Sequence, residues 1–188
     1  MTTDLEIRPA NANDASELAA NMRAEDLAEM AAGSARDPLE VLVDGLRDSS
    51  ECWTALYRGR VMAMWGVVPW QGSILGGRVG LGWLLTSPIV DRHPRVFWRA
   101  CLREFPGLLE RWGMLFNFIH CRHMKALRWA RRLGLKLEAP VPHGNSEELF
   151  VRFSVTKEDL NVRANDNRNR GRDGGGNGSQ PLRQETGG

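Results

Sequence analysis

The chain has 188 residues, 42% of them hydrophobic and 26% charged, which suits an ordinary globular protein of one domain. The formal charge is +2, no run approaches the roughly 18 apolar residues of a membrane span, and the first residues, Met1-Thr2-Thr3-Asp4-Leu5-Glu6, lack the basic, apolar pattern of a secretory leader. Cys52, Cys101 and Cys121 form an odd set without disulfide-framework spacing, which suits a reducing compartment.

In chain order, Leu5-Glu6-Ile7-Arg8-Pro9 alternates and stops at proline, predicting a short strand. Asn13 or Asp14 is expected to cap a helix with Ala15, Leu18, Ala19 and Met22 on one face, continued by Leu27 and Met30 up to Gly33. Asp37-Pro38 opens a second helix with Leu39, Leu42, Val43 and Leu46 as its buried stripe. Three strands follow: 52–57, a turn at Arg58-Gly59-Arg60, then 61–68 and 79–86. The near-continuous apolar run of the third predicts a strand covered on both faces. His93-Pro94 starts a helix that Pro106 should kink or interrupt. A strand at 114–119, a helix from Met124 to Leu133 closed by Gly134, and strands near 135–139 and 149–155 complete the pattern. The order β-α-α-β-β-β-α-β-α-β-β indicates a mixed α/β sheet covered by helices.

Charge is unevenly spread. Residues 161–188 hold five Arg and three acids, leaving 20 basic and 20 acidic residues in 1–160. That tail has seven Gly and only Val162, Ala164 and Leu182 as apolar residues, so 159–188 is expected to be disordered and 1–158 to form the domain. Residues 1–51 carry a local net of −8 and residues 92–136 a local net of +9. Such polarity suits either a partner or nucleic-acid face or two halves that complement each other, and the second is preferred.

Several clusters invite a chemical reading. His120-Cys121-Arg122-His123 contains zinc-ligand types, but a structural site needs four ligands and no paired spacing supplies the rest, so no metal is expected. Cys121 with His123 makes an equally weak nucleophile pair. Lys125, Arg128 and Arg132 share a helix face, which fits a solvated side better than an anion site. Arg92, His93 and Arg95 at a helix start suit an anion. The Gly-rich stretch from Gly72 to Gly82 lacks the residues of a P-loop or dinucleotide fold. The seven Trp are read as core and interface filling.

The element order resembles the GNAT (Gcn5-related N-acetyltransferase) fold over residues 5–155, and His123-x-x-Ala126 to Leu133-Gly134-Leu135 resembles that family's last helix. The resemblance implies an α/β (α+β) fold with a mixed, mostly antiparallel sheet of about seven strands flanked by four helices. More specifically, strings such as Arg36-Asp37-Pro38, Trp53-Thr54-Ala55-Leu56, Met62 to Pro69, Gly82 to Thr86, Arg92-His93-Pro94, Arg128-Trp129, Pro142-His143-Gly144 and Phe150-x-x-Phe153 are similar to GNAT-like proteins of tailed bacteriophages, related to an internal virion or morphogenesis protein.

That resemblance implies a structural protein of virion assembly, located in the virion or the host cytoplasm. It would use the fold to bind other virion proteins, with no catalytic residue and no cofactor. It leaves open a homo-oligomer, and nucleic-acid contact through residues 92–136 and the tail. The alternative it implies is an acyl-CoA-dependent N-acetyltransferase that takes acetyl-CoA, with Leu85, Thr86, Arg92, His93 and Arg95 as the cofactor-binding residues. Departures from the family pattern weigh against efficient acetyl transfer. Ser87 to Pro94 contains no glycine, and Pro94 removes an amide from the loop that would hold the coenzyme A diphosphate. The family's tyrosine acid falls on Ala130, and its Asn on His123. Nothing places Glu104 or Glu110 as a base.

Overall fold

The computed structural model describes residues 4–71, 78–144 and 147–159. Of the tail expected to be disordered, residues 160–188 fall outside those described, whereas Asp159 is placed, accepting from Thr156 and pairing with Lys136. Strands β1 (Leu5–Pro9), β2 (Glu51–Tyr57), β3 (Arg60–Pro69), β4 (Val79–Thr86), β5 (Met114–His120), β6 (Lys136–Pro142) and β7 (Leu149–Thr156) form one sheet in the order β1-β2-β3-β4-β5-β7-β6. Every neighbouring pair is antiparallel except β4 and β5. The mixed α/β sheet is therefore as the sequence led one to expect.

The four expected helices are present, the first divided into α1 (Ala12–Ala20) and α2 (Ala24–Gly33), followed by α3 (Pro38–Asp48), a short unexpected α4 (Ile89–Arg92), α5 (Pro94–Trp112) and α6 (Met124–Leu133). Helix α1 is capped by Asn11 rather than Asn13 or Asp14. The Asn11 carboxamide accepts from the N–H groups of Asn13 (2.9 Å) and Asp14 (3.1 Å), and Asp14 accepts from Asn11 N–H (3.0 Å), a complete capping box. The expected single helix to Gly33 breaks at Asn21. Arg23 there takes extended backbone and gives its N–H to Thr86 O (2.9 Å), a tertiary bond that local periodicity cannot reveal. Helix α3 starts as predicted, with Asp37 accepting from Leu39 N–H (2.9 Å) and Pro38 in the first turn.

Helix α5 runs unbroken through Pro106. The carbonyl that loses its partner belongs to Leu102, which is exposed, so water can replace the missing donor. Helix α6 ends at Gly134 in the left-handed region, as expected.

Helices α1 and α3 cover one sheet face, where Leu18, Leu42, Val61 and Met64 form a buried cluster. Helices α5 and α6 cover the other, over Val67, Leu109, Trp112, Leu115, Ile119, Leu127 and Val155. Contact there is close: a Cβ on Gly80 of β4 would lie 2.2 Å from Val67 Cγ1 and 2.9 Å from the Trp112 ring. Most of β4 is nevertheless only half-buried, contrary to the expectation of a fully covered strand. The reason is that β4 pairs with β5 only over Val79–Leu81 and then diverges, leaving a gap in the middle of the sheet. No helix among the described residues is long and apolar enough to cross a membrane.

Candidate functional site

The gap between β4 and β5 opens into a cavity of about 930 Å³. It is lined by β3, β4 and β5 of the sheet and by α2, α3, α5 and α6. Asn117 marks where the strands part, its side-chain amide donating to Gly82 O (2.9 Å). At the other end of β4, Thr86 N–H donates to Asp26 Oδ2 (2.9 Å) and Thr86 O accepts from Arg23 N–H. Gly82 and Thr86 thus turn main-chain groups away from β3. Alternation along a strand gives Leu84, midway between them, the same orientation, so its N–H and C=O face the gap. A slender polar chain entering there would find a strand edge ready to pair with it.

A buried charged cluster forms one end of the cavity. His123 and Asp26 have side chains only 3% and 6% exposed, with His123 Nε2 2.9 Å from Asp26 Oδ1. Arg23 Nη2 lies 2.9 Å from the same oxygen, and the Thr86 hydroxyl donates to Asp26 Oδ2 (2.5 Å). His123 Nδ1 accepts from Ala126 N–H (3.1 Å), capping α6. With Nδ1 accepting, Nε2 carries the ring's proton and donates it to Asp26. Burial alone would raise the pKa of Asp26, yet His123, Arg23 and Thr86 hold it below the ordinary carboxylate range.

Glu29 lies one turn beyond Asp26 on α2 and lines the same cavity. Its Oε2 is buried and has no hydrogen-bond partner in the structure. Burial pushes its carboxyl up to about 7, against the charges of His123 and Arg23 and the main-chain amide of His120. Arg23 Nε is also buried without a hydrogen-bond partner, and the Trp129 indole is turned to the Cys101 thiol; both residues line the cavity. Cys101, another lining residue, is no nucleophile: burial raises its thiol to about 12.

The residues singled out in the sequence divide. Leu85 and Thr86 line the cavity. Arg92, His93 and Arg95 sit at the junction of α4 and α5, flanking Asp91 and Pro94, which do line it, and the His93 ring packs on Tyr57 at 4.3 Å. Main-chain N–H groups along this junction are largely consumed: Val90, Arg92, His93, Val96 and Phe97 all donate to nearby carbonyls. Lys125, Arg128 and Arg132 reach the cavity wall rather than only solvent, although Lys125 is held by Glu25 (2.7 Å) and Asp91 (3.0 Å). Four of the Trp residues, 65, 83, 98 and 129, line the cavity as well. Glu104 does too, paired with Arg103 (2.7 Å), whereas Glu110 pairs with Lys157 on the surface. Cys121 and His123 do not act together, since His123 is turned into the Asp26 cluster. Among the described residues, no three His, Cys, Asp or Glu side chains gather to hold a metal.

Glu29 escaped the sequence reading. Asp26, Glu29, Met30 and Gly33 fall at i, i+3, i+4 and i+7 and all line the cavity, so the two carboxylates sharing a helix face with Met30 were the available signal.

No protein-family profile and no curated protein sequence matches this chain. Solved structures do match in shape. A GCN5-related N-acetyltransferase from Brucella melitensis aligns at a TM-score of 0.61 and 15% identity, covering 90% of this chain and 83% of that one. YncA from Salmonella typhimurium, solved with its cofactor acetyl-CoA, aligns at 0.58 and 13%, covering 82% and 95%. A GNAT-family acetyltransferase from Streptococcus pneumoniae aligns at 0.55 and 14%, covering 81% and 98%. The fold is therefore that of the GNAT acetyltransferases.

The residues present fit the thioester end of acyl-CoA. The strand edge at Leu84 suits an amide-bearing arm, and the orphaned Glu29 oxygen calls for a donor from whatever fills the cavity. They do not offer a diphosphate the usual row of free amides, so basic side chains would have to hold it.

Proposed function

We propose that the protein is an acyl-CoA-dependent N-acyltransferase that uses Glu29 as its general base. The single observation that carries this reading is the buried, partnerless Glu29 oxygen beside a strand gap of the acetyltransferase fold. A carboxyl titrating near 7 is suited to taking a proton from an ammonium or amine at neutral pH. When bound, acyl-CoA would supply an acyl group activated on a thiol leaving group.

The chain's own residues do the rest. The Leu84 main chain holds the arm of the donor, and the cleft walls at Leu85, Thr86, Trp83 and Trp129 exclude water. Arg92 and Arg95 at the α4–α5 junction, with Arg128 on α6, would receive its anionic portion. Glu29 accepts the proton of the attacking amine. Ala130 has no proton to give, so that position would offer a departing thiolate no general acid.

The non-catalytic role in virion assembly rests on sequence strings alone, and neither the fold nor its neighbours add to it. Calorimetry with acetyl-CoA and CoA, followed by thiol release with a panel of primary amines, tests the choice. Micromolar binding with turnover that needs Glu29 supports the enzyme; no binding at millimolar ligand eliminates it.

A further inference from the structure

His123 looks in two directions from the first turn of α6. Its Nδ1 caps that helix through Ala126 N–H (3.1 Å), and its Nε2–H reaches Asp26 on α2 (2.9 Å). Asp26 in turn holds the end of β4 through the N–H and hydroxyl of Thr86 (2.9 and 2.5 Å). One chain of hydrogen bonds therefore joins three walls of the cavity, with His123 and Asp26 almost wholly buried.

Histidine is an odd choice if capping were the only need, because Ser, Thr, Asn and Asp are the strongly preferred cap residues. What histidine adds is a ring that can take a second proton beside Glu29. The groups facing Glu29 are His123 from α6, the main-chain amide of His120 from β5, and Arg23 and Asp26 from α2 itself. Asp26 and Glu29 both favour the doubly protonated ring and hold its pKa above the ordinary histidine value, although burial opposes that charge. The Ala126 N–H favours a bare Nδ1 instead.

We propose that His123 is a positioning residue with two separable tasks: it clamps α6 to α2 and β4 through Asp26, and it sets how readily the Glu29 carboxyl releases its proton. The proposal rests on Glu29 as the base of the reaction above, but it is tested without turnover.

The measurement is an NMR titration of the ¹³C-labelled Glu29 carboxyl and of the His123 ring in the full chain. Linkage is reciprocal, so Glu29→Gln should lower the pH at which His123 titrates. His123→Asn keeps a good helix cap and removes the ring, so it should lower the melting temperature through the lost Asp26 bond and also move Glu29 upward by roughly half a pH unit or more. Thr86→Val removes the hydroxyl bond and leaves the ring in place; it should lower the melting temperature without moving Glu29. His123 titrating unchanged in Glu29→Gln would overturn the proposal, as would Thr86→Val displacing Glu29 as far as His123→Asn does. Coupled titrations in a protein that turns over no amine would leave this inference standing and remove the enzymatic reading. Turnover that depends on Glu29 without coupling would do the reverse.

Discussion

Glu51 and Glu29 are both carboxylates drawn partly out of water, and their surroundings differ in almost every other respect. Glu51, at the start of β2, accepts from Arg111 (2.7 and 3.1 Å), Trp112 Nε1 (2.5 Å) and Trp53 Nε1 (3.2 Å). Burial would raise its pKa, but those donors hold it below the ordinary range. Glu29 has a buried oxygen with no partner, and burial prevails, taking it up to about 7. A satisfied carboxylate ties β2 to the end of α5 and is finished. An unsatisfied one costs stability and persists where a ligand can complete it.

The largest effect expected from this contrast is on rate. Glu29→Gln should lower kcat by about 10²–10⁴-fold, with Glu51→Gln leaving it nearly unchanged. Equal losses from both, measured as thiol release, would erase the distinction. Next comes Asp26→Ala, which leaves the buried His123 Nε2–H and the Thr86 hydroxyl and N–H without their acceptor and should cost about 3–5 kcal/mol in denaturant unfolding.

The third is a difference of sign. Glu29 binds its proton more tightly in the folded chain than in the unfolded one, so it drains stability as pH rises from about 4.5 to 7. Glu29→Gln should therefore stabilise the protein at pH 8 by roughly 1–3 kcal/mol and have little effect at pH 4. Glu51 behaves oppositely. Its lowered pKa contributes stability above the ordinary value and loses it as pH falls through the folded one. Glu51→Gln should cost about 1–2 kcal/mol at pH 7 and progressively less in acid, which a set of thermal melts would show.

Much of the fold was legible because its signals are local. Asp37-Pro38 starts α3, Gly134 stops α6, and the apolar runs of β3 and β4 mark strands in their actual places. The failures are tertiary. Nothing around Asn21 and Arg23 announces a break; it follows from a bond to Thr86, far along the chain. Leu27 keeps the spacing of that helix's buried stripe and is exposed, whereas Asp26 beside it is buried. The cavity depends on two parallel strands separating after three residue pairs, and no sequence pattern in either strand records that. His123 was visible as a departure from a family motif, but its partner Asp26 lies 97 positions away.

Gly144, between β6 and β7, has a left-handed φ of 82°, and a Cβ there would lie 2.4 Å from the carbonyl oxygen of Gly33 at the end of α2. Backbone meets backbone at this point, with no side chain between. The helix that carries Glu29 is thus spaced from the far edge of the sheet by main-chain contact. Side chains lining the cavity can then be exchanged, and its chemical preference retuned, while the aperture stays fixed. A methyl group added at Gly144 would do the converse, prising the frame open while leaving every lining residue in place.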